Sequence, residues 1–384
     1  MDRPGTPITG VRWRPWRIPF REEFRNSRTR FTAREGIVIE LLDEDGLTGI
    51  GEASPLTEYA GGSLDAVDGA LSEAAARLLG ASPAFAVAKP RPSSIDAAST
   101  AALRCGLETA CMDLGSRQTS ASAAQWLAEA AGLSPPTAAT ELAVNGTLDV
   151  GTAEQVAVQA CALASDGFSV LKIKVGGAAN DDIERLIAVR TAVGIAVELR
   201  MDANGGWDVE SARRVLTVAA DLGVTLCEQP LSADDARVLT QTATLRSETD
   251  VKVALDESCR SLADVRAVIS AGAADVIVVK PMISGLVEGA RMLGAAADAG
   301  LTGIVTTSFD SSIGTAAAAH LAALLPAPRP ACGLATASIL AGDLVSQPMK
   351  IERGTLQLSG DPGLGVTLDE TALQSWATGP WNQA

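Results

Sequence analysis

The chain has 384 residues, more than one average domain and long enough for a large barrel beside a smaller unit. Hydrophobic residues make up 47% and charged residues 20%, a soluble globular balance that sets disorder aside as the organising state. A formal net charge of −15 argues against a nucleic-acid partner and an anionic membrane surface, both of which draw on a Lys/Arg surplus, and leaves a small molecule as the expected partner. The first residues, "MDRPGTPITGVRWRPWRIPF", hold no apolar run of signal-peptide length, and no stretch reaches about eighteen apolar residues, so a cytoplasmic location is expected.

Residues 36–54 read as a hairpin of two apolar-rich strands around the turn signal "DEDG". Helical patterns follow at about 63–80 and 99–117, and the Pro/Ala/Ser-rich stretch between them reads as a surface connection. A sheet followed by helices predicts a small α+β domain over 1–138. Near "AGLSPPTAATELAVNGTL" the pattern changes, and a second domain is expected over 139–340.

Beyond that boundary short apolar strands recur, each ending in a polar or charged residue: "LAVNG", "VLKIK", "VELRMDAN", "TLCEQP", "KVALDES", "VIVVKP" and "GIVTTS". Lys174, Asp202, Glu228, Asp256, Lys280 and Thr306 stand 28, 26, 28, 24 and 26 residues apart, the length of one βα unit. No Gly-rich dinucleotide turn is present, so the α/β rhythm predicts a TIM-type barrel rather than a doubly wound sheet, with the markers on its active face.

Asp202, Glu228 and Asp256 then converge from three successive strands. Three anionic oxygen donors without His or Cys suit a hard cation, Mg²⁺ first and Mn²⁺ as the alternative. Lys174 precedes the trio and Lys280 follows it, so the lysines face each other across it. Lys172 shares a strand face with Lys174. A carboxylate substrate held by such a cation has an acidified α-proton, and a lysine made less basic by neighbouring cations can take it. Taken singly, each charged residue reads as a helix cap or a surface ion pair. Five at the ends of five consecutive apolar strands do not, because burying charge is costly without a compensating site.

The single histidine, His320, lies in "GTAAAAHLAALL" and reads as a packed helix residue, which removes Ser-His-Asp and zinc-His chemistry. The six cysteines form no CxxC pair and read as reduced thiols.

The set "LKIKVGG", "RMDANGGW", "CEQPL", "ALDES" and "VVKP" resembles the enolase superfamily, in its muconate-lactonizing subgroup. The resemblance implies a modified (β/α)₇β barrel with an α+β capping domain. The cap is formed by the N-terminal part, including "REGIVIELLDEDGLTGIGEASPL", and by a returning segment, 341–384. It makes Lys174 the acid/base, Lys280 the stabiliser of the enediolate from the opposite face, Lys172 an electrostatic assistant, and Asp202, Glu228 and Asp256 the Mg²⁺ ligands.

Within the subgroup, "VVKPMISGL", "TTSFDSSIGTAAAAHLAALLP" and "ACGLATASILAGDL" are most similar to the o-succinylbenzoate synthases. These dehydrate 2-succinyl-6-hydroxy-2,4-cyclohexadiene-1-carboxylate to 2-succinylbenzoate for menaquinone biosynthesis. On that reading Asn204 faces the cavity, and Ser284 and Gly285 allow close backbone approach. Thr307 and Ser308 offer hydroxyls and N–H groups to the succinyl carboxylate, and Arg28, with Arg25 and Arg30, sits in a cap loop over the barrel.

The competing readings are an N-acylamino-acid racemase or a dipeptide epimerase of the same subgroup. The epimerase is disfavoured because "ACGLATA" lacks the acidic DxD pattern expected to hold a substrate amine. A catalytically silent scaffold predicts a lost ligand or lysine, and none is lost. A Schiff-base aldolase has no need of three carboxylates. A homo-oligomer is left open.

Overall fold

In the computed structural model, which describes residues 5–25, 30–57, 61–88 and 95–384, the expected hairpin is β2 (Arg30–Asp43) and β3 (Thr48–Ala53), paired antiparallel from Leu42↔Thr48 to Ile37↔Ala53. Before it comes a strand that sequence patterning did not single out, β1 (Ile8–Arg25), antiparallel to β2. Pro15 and Pro19 lie within it, opposite Ile37 and Ala33, and proline argues against a strand interior.

The helices Leu64–Leu78 and Ala97–Thr119 pack on this sheet, close to the expected 63–80 and 99–117. Strand and long helix approach at backbone distance: a Cβ on Gly51 would overlap the carbonyl oxygen of Gly106, so β3 needs a residue without a side chain there. Between the helices, where a plain surface connection was expected, Pro83–Ala88 forms a short helix.

β4 (Glu141–Ala143) leads to β5 (Gly146–Leu148), the first strand of a curled, parallel seven-stranded sheet. The sheet continues in chain order through β6 (Val170–Lys174), β7 (Glu198–Asp202), β8 (Val224–Glu228), β9 (Lys252–Leu255), β10 (Val276–Val279) and β11 (Thr302–Val305). Helices alternate with these strands, and β10 is buried at every residue, as a strand covered on both faces must be.

The eighth position is only a two-residue bridge. Cys332 pairs in parallel with Val144 and Gly333 with Thr306, joining the two ends of the sheet. This is the α/β fold expected from the rhythm, a modified TIM-type barrel with a separate antiparallel capping sheet.

After the barrel, β12 (Ile351–Glu352) and β13 (Thr355–Gln357) form a hairpin whose second strand pairs with β4. The chain then reaches the cap. The backbone N–H of Leu364 donates to Asp113 of the long cap helix (2.8 Å), and β14 (Asn382–Gln383) adds to β1 at Arg12 and Trp13. On the side of β1 away from β2, short bridges from Ala377 and Leu340 meet it at Trp16 and Phe20. The prolines take part only as acceptors, Pro15 O from Thr378 N–H (3.0 Å) and Pro19 O from Ala341 N–H (2.8 Å), so their missing N–H costs the sheet no bond there.

Candidate active site

The charged markers stand at one end of the barrel. Lys174, Asp202 and Glu228 are the last residues of β6, β7 and β8, and the ladder places Lys174 opposite Asp202 and Asp202 opposite Glu228. Asp256 and Lys280 each follow the last residue of β9 and β10.

Lys174 Nζ donates to Asp202 Oδ2 (2.7 Å) and Asn204 Oδ1 (3.0 Å). Lys172 Nζ lies 2.8 Å from the same Asp202 oxygen and 2.7 Å from Glu228 Oε1. On the far side Lys280 Nζ donates to Asp256 Oδ2. Each side of the carboxylate row thus carries a lysine.

The carboxylates are buried: Asp202 is 1% exposed, Glu228 4% and Asp256 5%. Burial opposes ionisation of Asp202, yet Lys172 and Lys174 hold its carboxyl far below the usual range. Burial first, and the neighbouring Asp202 charge next, push Glu228 up to about 7. For Lys172 burial works to lower the pKa, and Asp202 and Glu228 more than reverse it; for Lys280 the same contest is won by Asp256, with Glu257 and Glu228 adding.

The donor chemistry fits a hard divalent cation, since three buried carboxylate side chains supply only oxygen. Among the described residues no three His, Cys, Asp or Glu side chains stand at metal-holding spacing; Asp202 and Glu228 are ion-paired with Lys172, and Asp256 with Lys280.

Two supports were not singled out from the sequence. Gln229 accepts from the backbone N–H groups of Asp256 (3.1 Å) and Ser258 (3.2 Å), tying the end of β8 to that of β9. Glu257 Oε1 accepts from Asn204 Nδ2 (3.1 Å), and burial first, then Asp256, raise its pKa. Asn204 and Gln229 reach these positions with φ of 44° and 40°, a left-handed conformation that residue order does not announce.

Above the charges opens a cavity of about 590 Å³, lined at its base by Lys172, Lys174, Asp202, Asn204, Glu228 and Lys280. Thr307 and Ser308 line its wall. Their N–H groups are already used, by Gly333 O (3.0 Å) and Asp310 Oδ2 (3.2 Å), so the expected backbone grip on a substrate carboxylate is absent there. The Thr307 hydroxyl bonds to that of Thr336 (2.6 Å), while the buried Ser308 Oγ has no hydrogen-bond partner among the described residues.

Ser284 and Gly285 do not line the cavity. The turn Pro281–Ser284 carries them under the cap helix, where Ser284 Oγ donates to the carbonyls of Lys280 (3.2 Å) and Gly285 (2.8 Å) and Gly285 faces Arg104 and Glu108. Arg28 lies outside the described residues. Among the described residues, the cap arginine that reaches the cavity is Arg21 of β1, whose Nε donates to Ser338 O (3.2 Å).

His320 is 2% exposed, stands 3.2 Å from Leu364 O, and is pushed down to about 4 by burial, so it serves packing. All six cysteines are free thiols. No helix among the described residues is long and apolar enough to cross a membrane.

The fold and the lysine-flanked carboxylate row define an enzyme of the capped-barrel class. Residues 155–372 match the family described as Enolase C-terminal domain-like, and the chain belongs to the enolase superfamily. It is similar to a hydrophobic dipeptide epimerase of Citrifermentans bemidjiense, 30% identical over 91% of this chain and 95% of that protein. It is also similar to an o-succinylbenzoate synthase of Thermobifida fusca, 36% identical over 56% of this chain and 65% of that one. Among solved structures, a dipeptide epimerase from Enterococcus faecalis complexed with Mg and the dipeptide L-Leu-L-Tyr superposes with a TM-score of 0.85, at 26% identity, over 94% of this chain and 99% of that one.

Proposed function

We propose that this enzyme moves the α-proton of a carboxylate substrate, and that the substrate is an N-acylated α-amino acid racemised or epimerised by two lysines. The observation that carries the reading is the placement of Lys174 and Lys280 at opposite ends of the row Asp202, Glu228, Asp256. A proton taken from one face of a carbon and returned on the other needs two such groups. A divalent cation held by the three carboxylates would bind the substrate carboxylate and stabilise the charge that develops as the proton leaves.

The chain's own part follows from electrostatics. Lys172, fixed between Asp202 and Glu228, places a positive charge beside Lys174, and the two ammoniums share Asp202 Oδ2. The buried setting strengthens each of these interactions.

A dipeptide is itself N-acylated at its C-terminal residue, so epimerases and racemases share the reacting unit and differ in what holds the acyl group. Here Ala335 and Ala337 line the cavity beyond the eighth position, and of the carboxylates that share its lining, apart from those at its base, Asp343 already accepts from Ser312 (2.6 Å), with Asp149 the other. That favours acyl groups without a free amine. The higher identity to the Thermobifida fusca enzyme, over a shorter span, supports o-succinylbenzoate synthesis as the second reading, with Lys174 as the base.

The test is a substrate panel in D₂O with Mg²⁺ and an EDTA control. N-acetyl and N-succinyl amino acids and free dipeptides are followed by NMR for loss of the α-proton and by polarimetry, and the cyclohexadiene carboxylate by ultraviolet absorbance. Exchange with racemisation of the acylated amino acids supports the first reading. Rapid loss of the diene without such exchange moves the assignment to the synthase, and inactivity on the whole panel removes both.

A further inference from the structure

One side chain outside the cavity spans the loop after Lys174 and the loop after Asp202. Asp182, in the first turn of the helix Ala179–Val193, is completely buried. Its Oδ2 accepts from the backbone N–H groups of Gly176 (3.0 Å) and Gly177 (3.0 Å) and from the indole Nε1 of Trp207 (2.8 Å), and its Oδ1 accepts from Arg185. We propose that Asp182 is a positioning residue that fixes Lys174 against the reacting carbon. The inference rests on the two-lysine reading above.

A buried carboxylate is costly unless its lone pairs are used, and here a strand loop, an indole and a guanidinium use them. The loops it joins carry the proton-transfer machinery. Gly176 and Gly177 follow Lys174 by two and three residues, and Trp207 closes the loop that starts at Asp202 and includes Asn204, both acceptors for Lys174 Nζ.

The two loops also touch through backbone. Val175 N–H donates to Asp202 O (2.9 Å), and a Cβ on Gly176 would overlap the carbonyl oxygen of Ala203. Gly176 has a φ of 99°, which a side chain would further strain. Asp182 is therefore the side-chain clamp on a junction that has no slack. It is not the cap of its own helix, whose N-cap, Ala178, has no side-chain bond.

Lys280 is held differently. Its following turn is anchored by Ser284 and the cap helix, remote from this clamp in the sheet order. Loosening Asp182 should therefore disturb one lysine and spare the other, which general destabilisation would not do.

The experiment measures α-proton exchange in D₂O from each enantiomer of N-acetylmethionine separately, in wild type, Asp182→Asn and Arg185→Met, with thermal melts to establish folding. Lys174→Ala identifies the enantiomer that Lys174 serves. For Asp182→Asn, exchange from that enantiomer is expected to fall about 10-fold and from the other less than about twofold. Arg185→Met keeps the carboxylate and removes one of its partners on a partly exposed position, and should move the same enantiomer in the same direction by a few-fold, which preserves the test if Asp182→Asn does not fold. Equal losses for both enantiomers, or none, in a folded variant overturn the positioning role. A wild type that exchanges neither enantiomer overturns the two-lysine reading itself, and this inference with it.

Discussion

Lys172 and Glu228 form an ion pair of 2.7 Å inside the barrel mouth, and the same ammonium lies 2.8 Å from Asp202. One cation thus offsets two of the three candidate metal ligands. Lys172→Met leaves those carboxylates short of a charge in a buried place, a loss on the order of 3–5 kcal/mol. The variant should melt well below wild type in EDTA and regain much of the difference in Mg²⁺ or Mn²⁺, since a divalent ion replaces the missing charge and the competing ammonium is gone. Melting curves with and without each ion check this. A metal-induced shift no larger than that of wild type would show that Lys172 and the cation do not share ligands.

Lys174 and Lys280 should fail separately. Lys174→Ala is expected to abolish exchange from one enantiomer of an acylated amino acid while retaining exchange, without inversion, from the other, and Lys280→Ala should do the reverse. Racemisation in either variant should drop about 10²–10⁴-fold, the usual contribution of a positioned acid or base. Parallel NMR and polarimetry separate exchange from inversion. Loss of all exchange in Lys174→Ala, with exchange kept in Lys280→Ala, would instead point to a single base, the role the dehydration gives Lys174.

The five charged markers were legible because each ends a buried parallel strand, where the run of Val, Ile and Leu makes a charge conspicuous. Asp182 and Gln229 were not, since their work is to accept hydrogen bonds from backbone that only the folded loops bring near. Adjacency to Lys280 placed Ser284 and Gly285 at the cavity, but the turn beginning at Pro281 points them under the cap helix. The eighth strand shrank to Cys332 and Gly333, too short to show a periodicity. On the cap, the arginine run that includes Arg28 lies outside the described residues, while an arginine that does reach the cavity, Arg21, lies on a strand whose prolines disguised it.

Two buried groups make stability depend on pH in opposite senses. His320 is depressed to about 4 by burial, so its contribution is present above the unfolded value near 6.5 and is lost as pH falls through about 4, on the order of 3 kcal/mol in all. Glu52 accepts from Ser54 Oγ (2.7 Å), Ser311 N–H (3.3 Å) and Gly314 N–H (3.1 Å) at the junction of cap and barrel. Burial, and then Asp310, push it up to about 7. Its contribution is full below the unfolded value near 4.5 and is lost as pH rises through about 7. Compared with wild type, Glu52→Gln should therefore gain relative stability from pH 5 to 8, and His320→Gln should lose the relative decline below pH 6.5. Denaturant melts across pH 4–8 measure both differences, and curves parallel to wild type would contradict the assignments.

The final prediction concerns what the cavity refuses. Ala335 and Ala337 place methyl groups where the eighth-position segment meets the cavity, so a free ammonium seated against those two positions would give up water without a carboxylate from them. In Ala335→Asp/Ala337→Asp a carboxylate is available, and a charge-assisted hydrogen bond in such a site is worth about 1.5–3 kcal/mol. The double variant should shift kcat/KM toward free-amine dipeptides over their N-acetylated forms by about 10-fold or more, because each 1.4 kcal/mol is a factor of ten. Competition between the two forms in one D₂O tube, read by NMR, measures the ratio directly. An unchanged ratio would mean that the acyl end of the substrate lies elsewhere, and the wall carrying Ser308 and Arg21 would become the place to look for what holds it.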